Sequence, residues 1–314
     1  MFRIGLDIGG TNIVSGVVDN SNKIISRRQI LFPKGQPYSV FIGLIVNLIK
    51  EQSKELRIQV SDYKSIGICV PGSINREKGT VINAYNLEFH NVPMIEAMKT
   101  HFTDIPVFLE NDANAATLAE LNVGALRGYK TAVLFTIGTG IGGGIILGGK
   151  LFNGGMDHGV EPGHMIIDHN GPLCTCGNRG CIETLCSGSW LIKQGQEAIV
   201  KYPQSRIYRK TQGNREQVTG KLVIDCAKEG DEVAEDIFYR YVNQLSLAVV
   251  SCANLLDPEV IALGGGISKA GEFLFQPLRK LVREKSFFRF PYKIVPAELG
   301  NDAGVIGAAM LGMI

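Results

Sequence analysis

Two stretches of this chain follow one pattern. "IGLDIGGTNIVSGVV", from Ile4, and "VLFTIGTGIGGGIIL", from Val133, each carry an apolar run, a Gly/Thr turn and a second apolar run. Aligned without a gap, Gly9 falls over Gly138. Short apolar runs around such turns read as strand–turn–strand units, so one supersecondary unit is used twice, once near the start of each half. A chain of 314 residues is long for one core, and two domains are the natural expectation. The repeat also answers a membrane reading of Thr131–Gly149. That span is uncharged and long enough to cross a bilayer, but glycine fills its middle and its apolar blocks have the size of strands.

A Gly/Thr turn presents backbone N–H groups and a hydroxyl with no side chain in the way, which makes a nest for phosphate oxygens. In "FRIGLDI", Phe2, Ile4, Leu6 and Ile8 share one face and Arg3, Gly5 and Asp7 the other, a half-buried strand. Asp7, just before the first turn, is placed to reach a metal–phosphate complex through water. The plainer alternative is two tight hairpins whose glycines serve positive φ. Matching positions and the preceding Asp7 favour the phosphate reading. Neither turn is a Walker A loop or a dinucleotide fingerprint, because strand rather than helix follows. A third cluster, "EVIALGGGISKAG", comes after a helical pattern from about Glu232 to Leu256 that Asp257-Pro258 ends. Strand, glycines, then helix suits close approach to a flat ligand or a phosphate. Glycine is 38 of 314 residues, about 12% against a usual ~7%, and gathers at these few places.

The formal charge is +2 without a strong Lys/Arg cluster, which argues against nucleic acid or an anionic membrane as partner. The N-terminal run begins a strand at once, which reads as no signal peptide. Seven cysteines, an odd number, make a disulfide framework a poor expectation and the cytoplasm the expected compartment.

In "FLENDANAATLAELNVG" a strand ends at Asn111-Asp112, and an Ala-rich helix runs on to Gly124. The pair sits at the N-terminus of that helix. It either simply caps it, or the helix dipole keeps Asp112 ionised for a proton-accepting role in phosphoryl transfer. Spacing does not choose between these.

"DIGGTN", "ENDANAATLAE", "EPGH", "CTCGNRGCIE" and "LGGGIS", in that order, resemble the ROK family of sugar kinases and sugar-responsive repressors, over essentially the whole chain. The resemblance implies the α/β actin-like ATPase fold, two ribonuclease H-like α/β lobes around an interdomain cleft. The expected division is an N-terminal lobe of residues 1–117 plus 300–314 and a C-terminal lobe of residues 118–299. It implies an ATP-dependent hexose kinase with Asp112 as general base and Asn111 holding a sugar hydroxyl. Glu161, His164 and Glu183 would read the other hydroxyls, with Asn86 a further contact or a turn-former. Asp7, Gly9, Gly10, Thr11, Asn12, Gly138, Thr139 and Gly140 would hold the phosphates of ATP with Mg²⁺, and Gly264, Gly265 and Gly266 would lie near the nucleoside. Asn12 departs from the family, where many members have lysine.

His164, Cys174, Cys176 and Cys181 match the family's zinc pattern. Three thiolates and one imidazole also make a closed tetrahedral set in their own right, the mark of structural rather than catalytic zinc. Cys-x-Cys is poorly placed to bridge itself; free or buried thiols are the remaining alternative. His158 and His169 match no position. Cys69, Cys186, Cys226 and Cys252 stand in apolar or helical contexts and are expected in the core.

The resemblance further implies a homodimer. The repressors carry a helix-turn-helix ahead of the first hairpin, for which this sequence leaves no room before Asp7, so a kinase is expected rather than a DNA-binding protein. A sugar-binding regulator without catalysis is a third reading, set against the presence of Asp112 and both turns. Glucose phosphorylated at O6 leads as substrate, with the allose and N-acetylmannosamine kinases of the same family as alternatives.

Overall fold

The computed structural model describes residues 2–313. Its strands are β1 (Phe2–Ile8), β2 (Asn12–Val18), β3 (Ile24–Leu31), β4 (Tyr63–Val70), β5 (Ser73–Asn75), β6 (Thr80–Ala84), β7 (Phe89–Val92), β8 (Val107–Asn111), β9 (Ala132–Ile137), β10 (Ile141–Leu147), β11 (Lys150–Leu151), β12 (Val260–Gly264) and β13 (Ile294–Pro296). The helices are α1 (Tyr38–Leu56), α2 (Met94–Lys99), α3 (Asp112–Val123), α4 (Ile182–Cys186), α5 (Gly188–Lys201), α6 (Arg206–Thr211), α7 (Gly220–Lys228), α8 (Glu232–Leu256), α9 (Glu272–Lys285) and α10 (Ala303–Met310).

The chain divides into two compact units. The first takes in Met1–Gly128, Lys150–Val160 and Leu299–Ile314, the second Tyr129–Gly149 and Glu161–Glu298. The expected boundary at 117/118 falls inside α3, which stays whole in the first unit. Glu120 on that helix explains where the chain leaves and returns. Its buried carboxylate accepts the N–H groups of Ala125 and Leu299, at 2.7 and 2.8 Å.

In the first unit the sheet order is β3-β2-β1-β4-β8, with β1–β2 and β2–β3 antiparallel and β1–β4 and β4–β8 parallel. Ile4, Leu6, Ile66 and Ile68 pack with Ile45 and Ile49 of α1, each worth roughly 1.5–3 kcal/mol on full burial. β1 is not half-buried as its alternation predicts, because α10 covers the second face as well. Gly5 and Gly67 meet the carbonyls of Val305 and Ala308 with no room for a Cβ. Alternation reads a polar face correctly only where water reaches it; here small residues let a helix lie directly on the sheet.

The second unit repeats the plan. β10-β9-β12-β13 pairs an antiparallel hairpin with two parallel neighbours, as β2-β1-β4-β8 does. Val133, Phe135, Ile261 and Leu263 form its core with Tyr241, Leu245 and Val249 of α8. Helix α8 has the predicted bounds, and Asp257 ends it at φ 43° before Pro258. The uncharged span is the β9–β10 hairpin, and among the described residues no helix is long and apolar enough to cross a membrane. The third glycine cluster departs from expectation. A 3₁₀ turn over Gly266–Ala270 comes first, and α9 starts only after Gly271.

Candidate functional site

In the first unit the candidates gather at the carboxyl ends of parallel strands, where open α/β sheets bind ligands. Asp7 pairs in register with Cys69, and Val70 with Asn111. The structure resolves the question of the cap. Asn111, not Asp112, caps α3, its Oδ1 accepting the N–H groups of Ala113 and Asn114 at 2.9 and 3.1 Å. Its Nδ2 donates to the Gly72 carbonyl at 3.2 Å, which leaves one amide N–H for a ligand. The Asp112 carboxylate accepts the Ala113 N–H at 2.8 Å and a backbone contact from its own N–H. Burial raises its pKa, opposed by both N–H groups.

Asp7 lies between two surfaces. The Cys69 thiol donates to its Oδ1 at 3.6 Å, and Gly304 of α10 has no Cβ where the carboxylate sits. Burial, with the charge of Asp112 second, pushes Asp7 up to about 6. Cys69 is a core residue as expected, and burial holds its thiol well above the usual range. Its contact with Asp7 had no local signal, because the two stand 62 residues apart.

A second feature is absent from the sequence reading. Arg76 forms a forked ion pair with Glu110, which is 4% exposed. Glu110 also accepts the Asn111 N–H at 2.8 Å and Asn114 Nδ2 at 3.1 Å. Arg76 reaches the Asp157 carbonyl and Asn114 the Asn153 side chain. The pair and Asn114 thus tie the segment after β5, the start of α3 and the Lys150–Val160 segment together. The one sequence hint was an acid closing the apolar strand "VFLE".

The two glycine turns differ by one residue. Ile8 pairs with Ile13 but Ile137 with Ile141, so four residues close the first turn and three the second, and the ungapped alignment slips after the turn. Positive φ is not the reason for their glycines, since Gly9, Gly10, Gly138 and Gly140 all lack it. Space is the reason at two of them. A Cβ on Gly10 would meet Asn86 at 3.3 Å, and one on Gly140 would meet the Glu183 carboxylate. Asn86 is exposed beside the first turn. The N–H groups of Gly10 and Thr11, and of Thr139 and Gly140, find no acceptor among the described residues. Each turn therefore offers adjacent donors, as a phosphate nest requires.

In the second unit Gly264 pairs with Thr136, and Gly265, at φ 87°, lies over the Ile137 carbonyl. This brings Gly264–Gly266 beside the Gly138–Gly140 turn. Glu161 is exposed and precedes a 3₁₀ turn over Pro162–His164.

His164, Cys174, Cys176 and Cys181 come together, with one ligand atom from each all within 4.8 Å of one another. His164 Nδ1 to Cys174 Sγ and Cys176 Sγ to Cys181 Sγ are each 3.6 Å. A zinc tetrahedron with bonds of ~2.3 Å has edges of about 3.8 Å, so the set fits that ion. Gly180, at φ 70°, closes the loop against the Asp168 carbonyl. The Asn178 backbone N–H lowers Cys176 to about 7, while burial pushes Cys181 up to about 12. His158 and His169 are exposed and outside the cluster.

A profile of the ROK family matches residues 3–313. A glucokinase from Thermotoga maritima is 38% identical over 316 residues, spanning 98% of this chain and 96% of that protein. An Escherichia coli N-acetylmannosamine kinase is 28% identical, spanning 100% and 99%. The crystal structure of a ROK family glucokinase from Streptomyces griseus in complex with glucose and AMPPNP is 32% identical, with a TM-score of 0.85 over 99% of each chain. The fold is therefore the two-lobed actin-like ATPase fold of the ROK glucokinases, and this chain belongs to the ROK family.

Proposed function

We propose that this chain is an ATP-dependent hexose kinase whose substrate is glucose, phosphorylated at O6. The observation that carries this reading is the division of labour at α3. Asn111 spends its side-chain oxygen on the helix N-terminus and leaves Asp112 available as a proton acceptor. The relatives named glucokinase support the choice of sugar.

In the reaction the sugar O6–H gives its proton to Asp112 as the O6–P bond forms and the bond from the γ-phosphorus to the β–γ bridging oxygen breaks, releasing ADP. The free N–H pairs of the two turns bind phosphate oxygens, and Gly264–Gly266 flank the nucleoside. Asp7 is the carboxylate that would hold Mg²⁺, which binds through one or two carboxylates plus phosphate; when bound it neutralises the developing phosphate charge. Glu161, His164 and Glu183 accept sugar hydroxyls, and Asn111 gives one its remaining N–H. With His164 Nδ1 facing the Cys174 sulfur, Nε2 is the ring nitrogen left for a hydroxyl. The three cysteines and His164 would hold zinc, which orders this loop. The protein works as a cytoplasmic homodimer, a state that sedimentation measures directly.

The test is a coupled ADP-release assay on zinc-loaded protein with Mg-ATP and glucose, allose, mannose, fructose, N-acetylglucosamine or N-acetylmannosamine. Glucose should stand above the rest. Another sugar in that place would reassign the substrate, and silence with all six would overturn the kinase reading in favour of a binding or regulatory protein.

A further inference from the structure

Glu183 is attached to more than the metal loop. It lies in the first turn of α4, two residues beyond Cys181. Its Oε2 accepts the N–H of Ile141, the residue that closes the second glycine turn, at 2.9 Å. The carboxylate fills the space that Gly140 leaves by having no side chain. The chain just after α4 holds the same turn by its carbonyls. Gly188 N–H donates to the Gly138 oxygen at 2.9 Å, and Ser189 Oγ donates to the Thr139 oxygen at 2.7 Å. These bonds set the direction of the turn while leaving the Thr139 and Gly140 N–H groups without an acceptor among the described residues.

We propose that Glu183 is a positioning residue for this turn, coupling the order of the metal loop to the turn's affinity for nucleotide phosphate. The inference rests on the kinase reading for the identity of the phosphate ligand. It does not depend on that reading for the mechanical link. A carboxylate has two oxygens and can keep the Ile141 N–H on one while a hydroxyl donates to the other. Glu183 then serves sugar and nucleotide together. An aimed pair of N–H groups binds an anion well only if the turn is already held in place, and this is what the Glu183 bond supplies.

Hydrogen exchange at the Ile141 amide reads the link directly in the zinc-loaded protein. Glu183→Met, which keeps the bulk and loses the acceptor, should speed exchange at least tenfold. Glu183→Gln, whose amide oxygen still accepts, should stay within about threefold of the unchanged protein. Chelating the metal from the unchanged protein should also speed exchange, which keeps the test alive if the Met variant fails to fold. Affinity for Mg-AMPPNP without sugar should fall about tenfold in Glu183→Met and little in Glu183→Gln. Unchanged Ile141 exchange in Glu183→Met or after chelation, or equal AMPPNP affinity in Glu183→Met and the unchanged protein, overturns the proposal. Correct exchange behaviour in a protein that phosphorylates no hexose would instead leave the link standing and remove the kinase reading.

Discussion

The two units share a strand order but not a chemistry. At the register position where β1 carries Asp7, β9 carries Thr136, by their places before the two turns. The strand ends of the first unit bear Asp7, Cys69 and the Asn111–Asp112 pair, supported by Glu110 and Arg76. Those of the second bear glycines, and its carboxylate, Glu183, arrives from the helix after the metal loop. One topology thus supplies two platforms of free backbone ends. On the proposed reading the first would also hold a cation and accept a proton, while both turns offer N–H donors. The shared topology sets where chemistry is placed; the residues at the strand ends set which chemistry.

The contrast can be broken in the first unit. Asp112→Asn should lower kcat about 10³- to 10⁴-fold while isothermal titration finds sugar affinity little changed; retained turnover would remove Asp112 as the base. Arg76→Ala leaves Glu110 buried without its partner and should cost about 3–5 kcal/mol in denaturant unfolding. A loss under 1 kcal/mol would show that the pair is peripheral.

Glycine substitution separates the units next. Gly67→Ala drives a methyl into the Ala308 carbonyl and should cost about 2–3 kcal/mol. Gly266→Ala in the second unit meets open space at ordinary φ and should stay within about 0.5 kcal/mol. Equal thermal melts for the two would contradict the packing of α10 on the first sheet.

The pH prediction concerns Asp7, whose pKa burial raises from 3.8 to about 6. The folded state binds this proton more tightly than the unfolded chain, so the group's favourable contribution is complete below about pH 4 and lost as pH rises through 6. Asp7→Asn, neutral throughout, should therefore gain on the unchanged protein between pH 4 and 7, by on the order of 2 kcal/mol. A difference that is flat with pH would mean that the carboxylate is well solvated.

Local signals were enough for much of the molecule. The hairpins, the Glu232–Leu256 helix and the Asn111–Asp112 helix start rest on periodicity, glycine and capping residues that act within a few positions. The cluster of His164 with Cys174, Cys176 and Cys181 was legible because all four lie within one short stretch. The family motifs are likewise contiguous, which is why the fold could be anticipated from them.

What the sequence by itself determined is therefore the two hairpins, the helices that start at Asp112 and Glu232, the grouping of His164 with three cysteines, and the family. Tertiary structure alone decided that α10 buries the second face of β1, that Asn111 rather than Asp112 caps the helix, and that the second turn is one residue shorter. It also decided the distant partnerships: Arg76 with Glu110, Cys69 with Asp7, and Glu183 with Ile141. The physical reason is range. Helix periods, caps and turns are settled by neighbours in the chain, whereas a buried charge or an unsatisfied N–H takes its partner from whatever segment the fold brings beside it.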